Sequence, residues 1–292
     1  MKISGFTFVK NAKEFGLPVV ESIKSLLPLV DEYIVNVGQP DLDKTENLIR
    51  SIRNKKIKII RSEWNSNYTE KMRLFAVQTN IAMYNCSGDW LFYLQADEVI
   101  HENDYTKILN AIREVNKDKR IEGLLFRFFH FWANGNFILD SFVHYQREVR
   151  VIRNFLGISS YKDAQGFRVD GHKLHVKNSG ASIYHYGYTL NPEQAEKKAR
   201  YNSYLYRKDK NYKEIPDAKN FYYKVNPYFI RPFKGTHPQV MKKRLSYMFN
   251  DFNPKLCKSP ISFKQFKRNI QTFIYRITGI KIGEYRNFIL IR

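Results

Sequence analysis

Gly88-Asp89-Trp90-Leu91-Phe92-Tyr93-Leu94-Gln95-Ala96-Asp97-Glu98 is the stretch that decides the fold. Its apolar run, Trp90 to Leu94, is short, aromatic-rich and ends abruptly in polar residues, the pattern of a buried strand. Two adjacent acids, Asp97 and Glu98, follow it. In open α/β sheets ligands bind beyond the C-terminal ends of the parallel strands. A carboxylate there is placed to hold a hard divalent cation and, through the cation, a diphosphate. Adjacent acids also suit the first turn of a helix, whose dipole favours negative charge.

Strand and helix patterns alternate around this block. Lys2–Val9 reads as a first strand that stops at Lys10-Asn11. Within Glu14–Leu27, residues Val19, Val20, Ile23, Leu26 and Leu27 fall at helical spacing, with Pro18 marking the regular start and Pro28 the close. Tyr33–Val37 is a second strand, ended by the turn formers Gly38-Gln39-Pro40-Asp41. Leu42–Arg53 reads as a helix, Ile57–Ile60 as a third strand and Thr69–Tyr84 as a further helix. After Asp97, a helix carries Tyr105, Ile108, Leu109, Ile112 and Val115 in register. This alternation predicts the α/β class, with a parallel sheet covered on both faces and right-handed crossovers. The layout is Rossmann-like, yet neither GxGxxG nor GxxxxGK[ST] occurs, which argues against a dehydrogenase or a P-loop ATPase.

From Glu122 to Tyr188 the pattern turns to strands: Gly123–Phe131, Phe137–His144, Glu148–Arg153, and the pair Lys173–Val176 and Ser182–Tyr186. Helical order returns at Asn191-Pro192-Glu193, with Asn as N-cap and Pro at the first position, and runs to about Tyr206. Beyond it, Lys- and aromatic-rich segments are interrupted by six prolines between Pro216 and Pro260.

The 292 residues suffice for one large domain, or for one domain with a sizeable extension. Two cysteines, Cys86 and Cys257, make neither a disulfide framework nor a zinc site, as expected in a reducing compartment. The N-terminus is too short and polar for a signal peptide, and no run approaches the roughly 18 apolar residues a membrane span needs. A soluble, cytoplasmic protein is expected. The net charge of +21 is uneven. Residues 193–292 hold 23 Lys+Arg and 7 Asp+Glu, a balance of +16; the first 192 hold 26 and 21, a balance of +5. Such a basic region faces something anionic, such as nucleic acid, lipid headgroups or a phosphorylated substrate, or is simply a solvated lysine surface.

Several motifs together resemble family 2 glycosyltransferases of the GT-A fold, and more closely bacterial sugar transferases of polysaccharide assembly with a Leu-Gln-Ala-Asp-Glu block. The resemblance rests on Phe8-Val9-Lys10-Asn11, Leu29-Val30-Asp31-Glu32-Tyr33-Ile34-Val35, Asp43-Lys44-Thr45, Gly88–Glu98, Ser160-Tyr161-Lys162-Asp163-Ala164-Gln165-Gly166-Phe167-Arg168 and Tyr184-His185-Tyr186-Gly187-Tyr188. It covers roughly residues 1–206. It implies a GT-A core over 1–190, with a nucleotide-sugar-binding half (1–100) and a metal and acceptor half (101–190), followed by a basic, mainly helical region over 191–292. The implied activity is transfer of a sugar from a nucleotide-sugar donor to a glycan or lipid-linked acceptor in cell-surface polysaccharide synthesis, with inversion. The implied cofactor is Mn2+ or Mg2+.

In the family a DxD motif binds the metal through its last Asp. Here the triplet is Gln95-Ala96-Asp97, so the resemblance gives the metal to Asp97, leaves Gln95 to hydrogen-bond a ribose or a metal-bound water, and reads Glu98 as a helix start. His185, between Tyr184 and Tyr186, corresponds to a C-terminal His that many such enzymes supply to the same ion; His130, His144, His172 and His175 have no such context. An inverting transferase needs a carboxylate to take the acceptor proton. Asp163 is the expected base, with Glu148 and Asp170 as alternatives. Val9, Asn11 and Asn36 are the expected base and ribose contacts. Lys71 or Arg73 would meet the diphosphate, or line the exposed face of their helix.

The C-terminal aromatics interleave with lysines, and Phe263–Ile277 sets Phe266, Ile270, Phe273 and Ile277 against Lys264, Lys267, Arg268 and Arg276. That pattern suits acceptor binding with peripheral contact to the inner face of an anionic membrane. A groove for nucleic acid is the less favoured partner, and a plain helical subdomain needs neither. The competing function is a non-catalytic nucleic-acid- or membrane-binding protein on a decayed GT-A scaffold, which Gln95 in place of an acid would fit.

Overall fold

The computed structural model describes residues 1–65, 73–155, 157–207, 218–248, 251–258, 262–281 and 283–291. The first half runs β1 (Ile3–Val9), α1 (Val19–Leu26), β2 (Glu32–Gln39), α2 (Thr45–Arg50), β3 (Ile57–Glu63), α3 (Leu74–Tyr84), β4 (Trp90–Tyr93), β5 (Glu98–Ile100) and α4 (Tyr105–Asn116). It continues through β6 (Gly123–Trp132), β7 (Phe137–Leu139), β8 (Arg147–Arg153), β9 (Ile158–Ser160), β10 (Phe167–Val169) and β11 (His172–Tyr188). Next come α5 (Pro192–Arg207), β12 (Ile230–Pro232), α6 (Lys242–Leu245), α7 (Phe263–Thr278) and β13 (Phe288–Leu290).

The main sheet has the order β3-β2-β1-β4-β8-β6-β11-β10-β9. Its β3-β2-β1-β4 half is parallel throughout. β1 and β4 read as near-continuous apolar runs because helices cover both faces, whereas the edge strand β3 exposes Lys58, Arg61 and Glu63. One layer buries Val19, Ile23 and Leu26 of α1 with Ile108 and Ile112 of α4. The opposite layer buries Ala82 and Met83 of α3 with Ile158, Phe167 and Leu174. Beyond β4 the sheet turns mixed: β8 is antiparallel to both β4 and β6, while β6 and β11 pair in parallel. This is an α/β architecture of the GT-A kind, a curled sheet whose parallel half carries a Rossmann-like layout.

Three local expectations change. Lys173–Val176 and Ser182–Tyr186 belong to one 17-residue strand, β11, irregular between Asn178 and Ser182, where Gly180 takes φ +71°. Only a residue without Cβ enters that region freely. The segment after Leu139 leaves the sheet for a turn in which Ser141 Oγ meets His144 Nδ1 at 2.7 Å. Most consequentially, Glu98 does not begin a helix; it begins β5, and α4 starts only at Tyr105. Glu98 is wholly buried and takes a two-pronged ion pair from Arg150, 2.8 Å from Nε to Oε2 and 2.7 Å from Nη2 to Oε1. The guanidinium is packed over the rings of Phe128 and Tyr93, at 4.9 and 5.3 Å. A helix start would leave the acid facing water; the buried cation instead draws it inward.

The C-terminal third packs back onto this core. β13 adds to β11 in parallel, and β12 pairs with β7.

Candidate active site

Asp97 sits in the tight turn between β4 and β5, closed by the Glu98 N–H donating to Gln95 O at 3.0 Å. β5 is antiparallel to β11, with Glu98 opposite His185, and the Tyr186 N–H donates to Asp97 O at 2.8 Å. That register carries His185 to the acid: Nε2 lies 3.6 Å from Asp97 Oδ2. The next pairing, β11 with β6, sets His185 opposite His130.

The hydrogen bonds fix the ring protons. His130 Nε2 lies 2.7 Å from the Tyr145 carbonyl, which can only accept, so that nitrogen carries the proton. Burial, and then the neighbouring His185, lower the His130 pKa well below the ordinary imidazole value, so the ring is neutral. Its Nδ1 must therefore accept from His185 Nδ1, 3.1 Å away. His185 Nε2 is left facing the Asp97 carboxylate, whose buried charge calls for a cation.

Lys198 supplies one. It lies about two turns into α5, whose start is capped by Asn191 Oδ1 accepting from the Gln194 N–H at 2.9 Å. Its ammonium donates to Asp97 Oδ2 at 2.9 Å and to Gly187 O at 3.1 Å. Burial alone would raise the Asp97 pKa; Lys198 and His185 outweigh it and hold the carboxyl well below its usual range.

The same residues fit a divalent ion. Asp97 and His185 offer one oxygen and one nitrogen, and a Cβ at position 187 would strike both Asp97 Oδ2 and His185 Nε2, so glycine keeps the space between them open. Among the described residues no group of three or more His, Cys, Asp or Glu is gathered for a metal. Magnesium-type sites commonly complete two protein ligands with water and substrate phosphate.

These groups line a cavity of about 480 Å³ beyond the ends of β1 and β4. Toward β3 its wall is aromatic. Phe8, Trp64 and Phe75 contact one another with centroids 5.4 to 6.0 Å apart, and Tyr201 of α5 lies 6.4 Å from Trp64. Lys10 Nζ is 5.5 Å from the Trp64 ring, and the Trp64 Nε1 proton is buried without a partner among the described residues. Toward β8 the wall holds Val143, Tyr145, Glu148, Asp163, Gln165, Tyr285 and Asn287.

The expected residues divide accordingly. Val9, Gln95, Asp97, Glu148, Asp163 and His185 line the cavity. Asn11, Asn36, Arg73 and Asp170 do not. Asn36 is fully buried, donating to the Gln78 carbonyl and side-chain oxygens at 3.1 and 2.9 Å and accepting from Ser62 Oγ. Asn11 turns the chain with φ +55°, its carbonyl accepting from the Phe15 N–H. Arg73 is exposed just before α3, and Lys71 lies outside the described residues. Asp170 is exposed in the turn joining β10 to β11.

Glu148 and Asp163 differ in setting. Glu148 is buried, and its Oε2 has no hydrogen-bond partner among the described residues. Burial pushes its carboxyl up to about 8; Arg150 offsets part of this and Glu98 adds to it. Asp163 is partly buried on a loop in which Lys162 and Ala164 both hold φ +52°. Left-handed backbone at two non-glycine residues costs on the order of 1 kcal/mol each and concentrates at functional sites. The C-terminal segment pins this loop: the Asn287 amide donates to Gln165 O at 2.8 Å, and Arg168 Nη2 donates to Asn287 Oδ1 at 3.0 Å.

Residues 7–189, well over half of the chain, match the family described as Glycosyl transferase family 2. The chain belongs to that family. This family 2 protein is therefore a glycosyltransferase, and its matched region ends just after the β11 segment that carries His185 and Gly187. Among solved structures it is similar to TarS from S. aureus in complex with UDP, at 20% identity over 46% of this chain and 37% of that one, with a TM-score of 0.34. It is also similar to the mannosyltransferase PcManGT from Pyrobaculum calidifontis in complex with GDP-Man and Mn2+, at 14% identity over 42% and 34%, with a TM-score of 0.32. The match thus spans less than half the length of either structure. Among curated proteins none is a detectable match.

Sequence reasoning missed Lys198, His130 and the Trp64–Tyr201 wall. Lys198 is one of three adjacent-lying cations in Lys197-Lys198-Ala199-Arg200, and nothing local distinguishes it from a solvated lysine. His130 is marked only by lying in a strand that is apolar apart from it and the exposed Arg127.

Proposed function

We propose that this glycosyltransferase moves a sugar from a nucleoside-diphosphate donor to a hydroxyl of a glycan or lipid-linked acceptor in polysaccharide synthesis, with inversion at the anomeric carbon. The observation that carries the proposal is the convergence of Asp97, His185 and Lys198 on one cavity whose far wall is aromatic. The nucleobase stacks in the Phe8, Trp64 and Phe75 wall. Val9 and Gln95 border the ribose and the Lys198 ammonium faces the diphosphate. A divalent ion, Mn2+ or Mg2+, held by Asp97 and His185 would neutralise the departing diphosphate.

The acceptor enters from the β8 side. Its hydroxyl oxygen attacks the anomeric carbon as the bond from that carbon to the diphosphate oxygen breaks, and Asp163 takes the hydroxyl proton. Glu148 suits this base role less well, because a carboxyl titrating at about 8 holds its own proton at neutral pH.

A thermal-shift panel of UDP-, GDP-, dTDP- and CMP-sugars, with and without Mn2+, tests the donor reading. A ligand at about 100 times its Kd adds about 2.7 kcal/mol. The absence of any shift across the panel overturns it, and the anomeric configuration of the product decides inversion.

A further inference from the structure

α7 is amphipathic the wrong way round. Its inner side is polar: Thr272 is fully buried, with Oγ1 accepting from the Phe142 N–H at 3.2 Å, Asn269 Oδ1 accepts from Asn226 Nδ2 at 2.6 Å, and Arg276 donates to the carbonyls of Asp140 and Tyr228 at 2.9 Å. Its apolar residues point outward at i, i+3, i+7, i+10 and i+14: Phe263, Phe266, Ile270, Phe273 and Ile277 are 84, 61, 45, 55 and 67% exposed. Ile280 extends the stripe, and none of the described residues covers it. A contiguous apolar strip of this kind marks an interaction site, since ordinary surface helices turn that stripe inward.

We propose that α7 seats this face in the surface of an anionic phospholipid bilayer. Charge complementarity selects the partner. The helix carries Lys264, Lys267, Arg268 and Arg276 and no acidic residue, and Lys264 and Lys267 are exposed beside the stripe. In an isologous pairing with a second copy, two faces that carry cations and no acid would meet; anionic headgroups instead neutralise Lys264 and Lys267. Sixteen residues make a helix of about 24 Å, and no described helix is long and apolar enough to cross a membrane, so α7 lies in the interface plane.

The placement deepens the transfer reading and, for the acceptor, rests on it. The loop that receives α7, from Asp140 to His144, continues into Val143 and Tyr145 of the cavity wall, and Lys281 Nζ donates to the carbonyls of Phe142 and His144. The chain beyond α7 returns to supply Tyr285 and Asn287 to the same wall. The bilayer face and the acceptor side thus share one structural unit, and the acceptor it fits is lipid-linked.

Flotation of the full chain with vesicles tests the surface without donor or acceptor, so its failure is separate from failure of the transfer reading. The chain is expected to float with phosphatidylcholine vesicles containing phosphatidylglycerol, to float less as salt rises, and to remain behind with phosphatidylcholine alone. The double substitution Phe266→Ser/Phe273→Ser should lower partitioning at least about tenfold, and Lys264→Gln or Lys267→Gln about fivefold each, with the melting temperature unchanged because these side chains touch solvent. No flotation at low salt, or flotation that the double variant keeps, overturns the proposal. So does a dimer in analytical ultracentrifugation that the double variant dissociates.

Discussion

Replacing Glu148 by glutamine should stabilise the protein, by an amount that grows with pH. The folded carboxyl titrates at about 8 against an ordinary 4.5, burial being the leading cause. Below about pH 4.5 both folded and unfolded chains hold this proton, and the group has no effect on pH dependence. Between about 4.5 and about 8 the unfolded chain has lost its proton while the folded chain keeps it. Stability therefore falls as pH rises, by about 1.4 kcal/mol per pH unit from this one group. The whole interval amounts to as much as about 5 kcal/mol, an upper bound because a charged site relaxes. The glutamine side chain would keep the shape of the protonated acid and its capacity to donate a hydrogen bond, and it does not titrate. Urea denaturation of both proteins from about pH 5 to about pH 9 reads the difference directly, since every other group cancels. The variant's advantage should be small at the acid end, rise through neutrality and level off above about 8. Parallel curves, or a variant that loses ground as pH rises, would refute the burial argument and with it the neutral state of Glu148 at the cavity wall.

Further expectations follow from the same contacts. Arg150→Met leaves Glu98 as an unpaired, wholly buried charge and should cost about 3–5 kcal/mol in denaturant melts; the double change Glu98→Gln/Arg150→Met should recover most of that loss. Asp97→Asn should abolish sugar transfer and lower the melting temperature, because the contacts of Lys198 and His185 with the charged carboxylate are lost, while circular dichroism keeps the folded spectrum; retained transfer would remove Asp97 from the centre of the site. Lys198→Ala takes away the ammonium that now sits on Asp97, so calorimetric affinity for Mn2+ in the absence of donor should rise by about tenfold, about 1.4 kcal/mol, and an unchanged or weaker affinity would count against a shared cation position. Trp64→Ala should weaken binding of any accepted nucleotide by about 1–3 kcal/mol, the range for base stacking on an aromatic ring, and a titration that finds no change would move the base elsewhere.

The parallel half of the sheet was legible in the sequence because its code is local. Apolar runs of strand length, helical spacing between them and turn formers such as Gly38-Gln39-Pro40-Asp41 place β1 to β4 without reference to distant residues. The same local grammar put Asp97 just past a strand end, and the run of family motifs through Gly187 is a linear feature. It failed for Glu98. Adjacent acids after a strand look like a helix start, and only Arg150, 52 residues on, makes the acid a buried strand residue.

What tertiary structure alone decided is the company Asp97 keeps. The pairing of β5 with β11 brings His185 to it, the pairing of β11 with β6 brings His130 to His185, and α5 folds back to deliver Lys198. Asn36 was expected to contact the donor from the family resemblance, yet Gln78 and Ser62 consume its hydrogen bonds. The amphipathic pattern of α7 was equally plain in the sequence, but a stripe has no sign: the period says that one face is apolar, not which way it points. Its direction was set by Thr272, Asn269 and Arg276 finding polar partners on the body of the protein, which left the phenylalanines outside. Local pattern fixes the elements, because backbone preference and periodicity act over a few residues. Register and docking fix the chemistry, because they depend on partners far away in the chain.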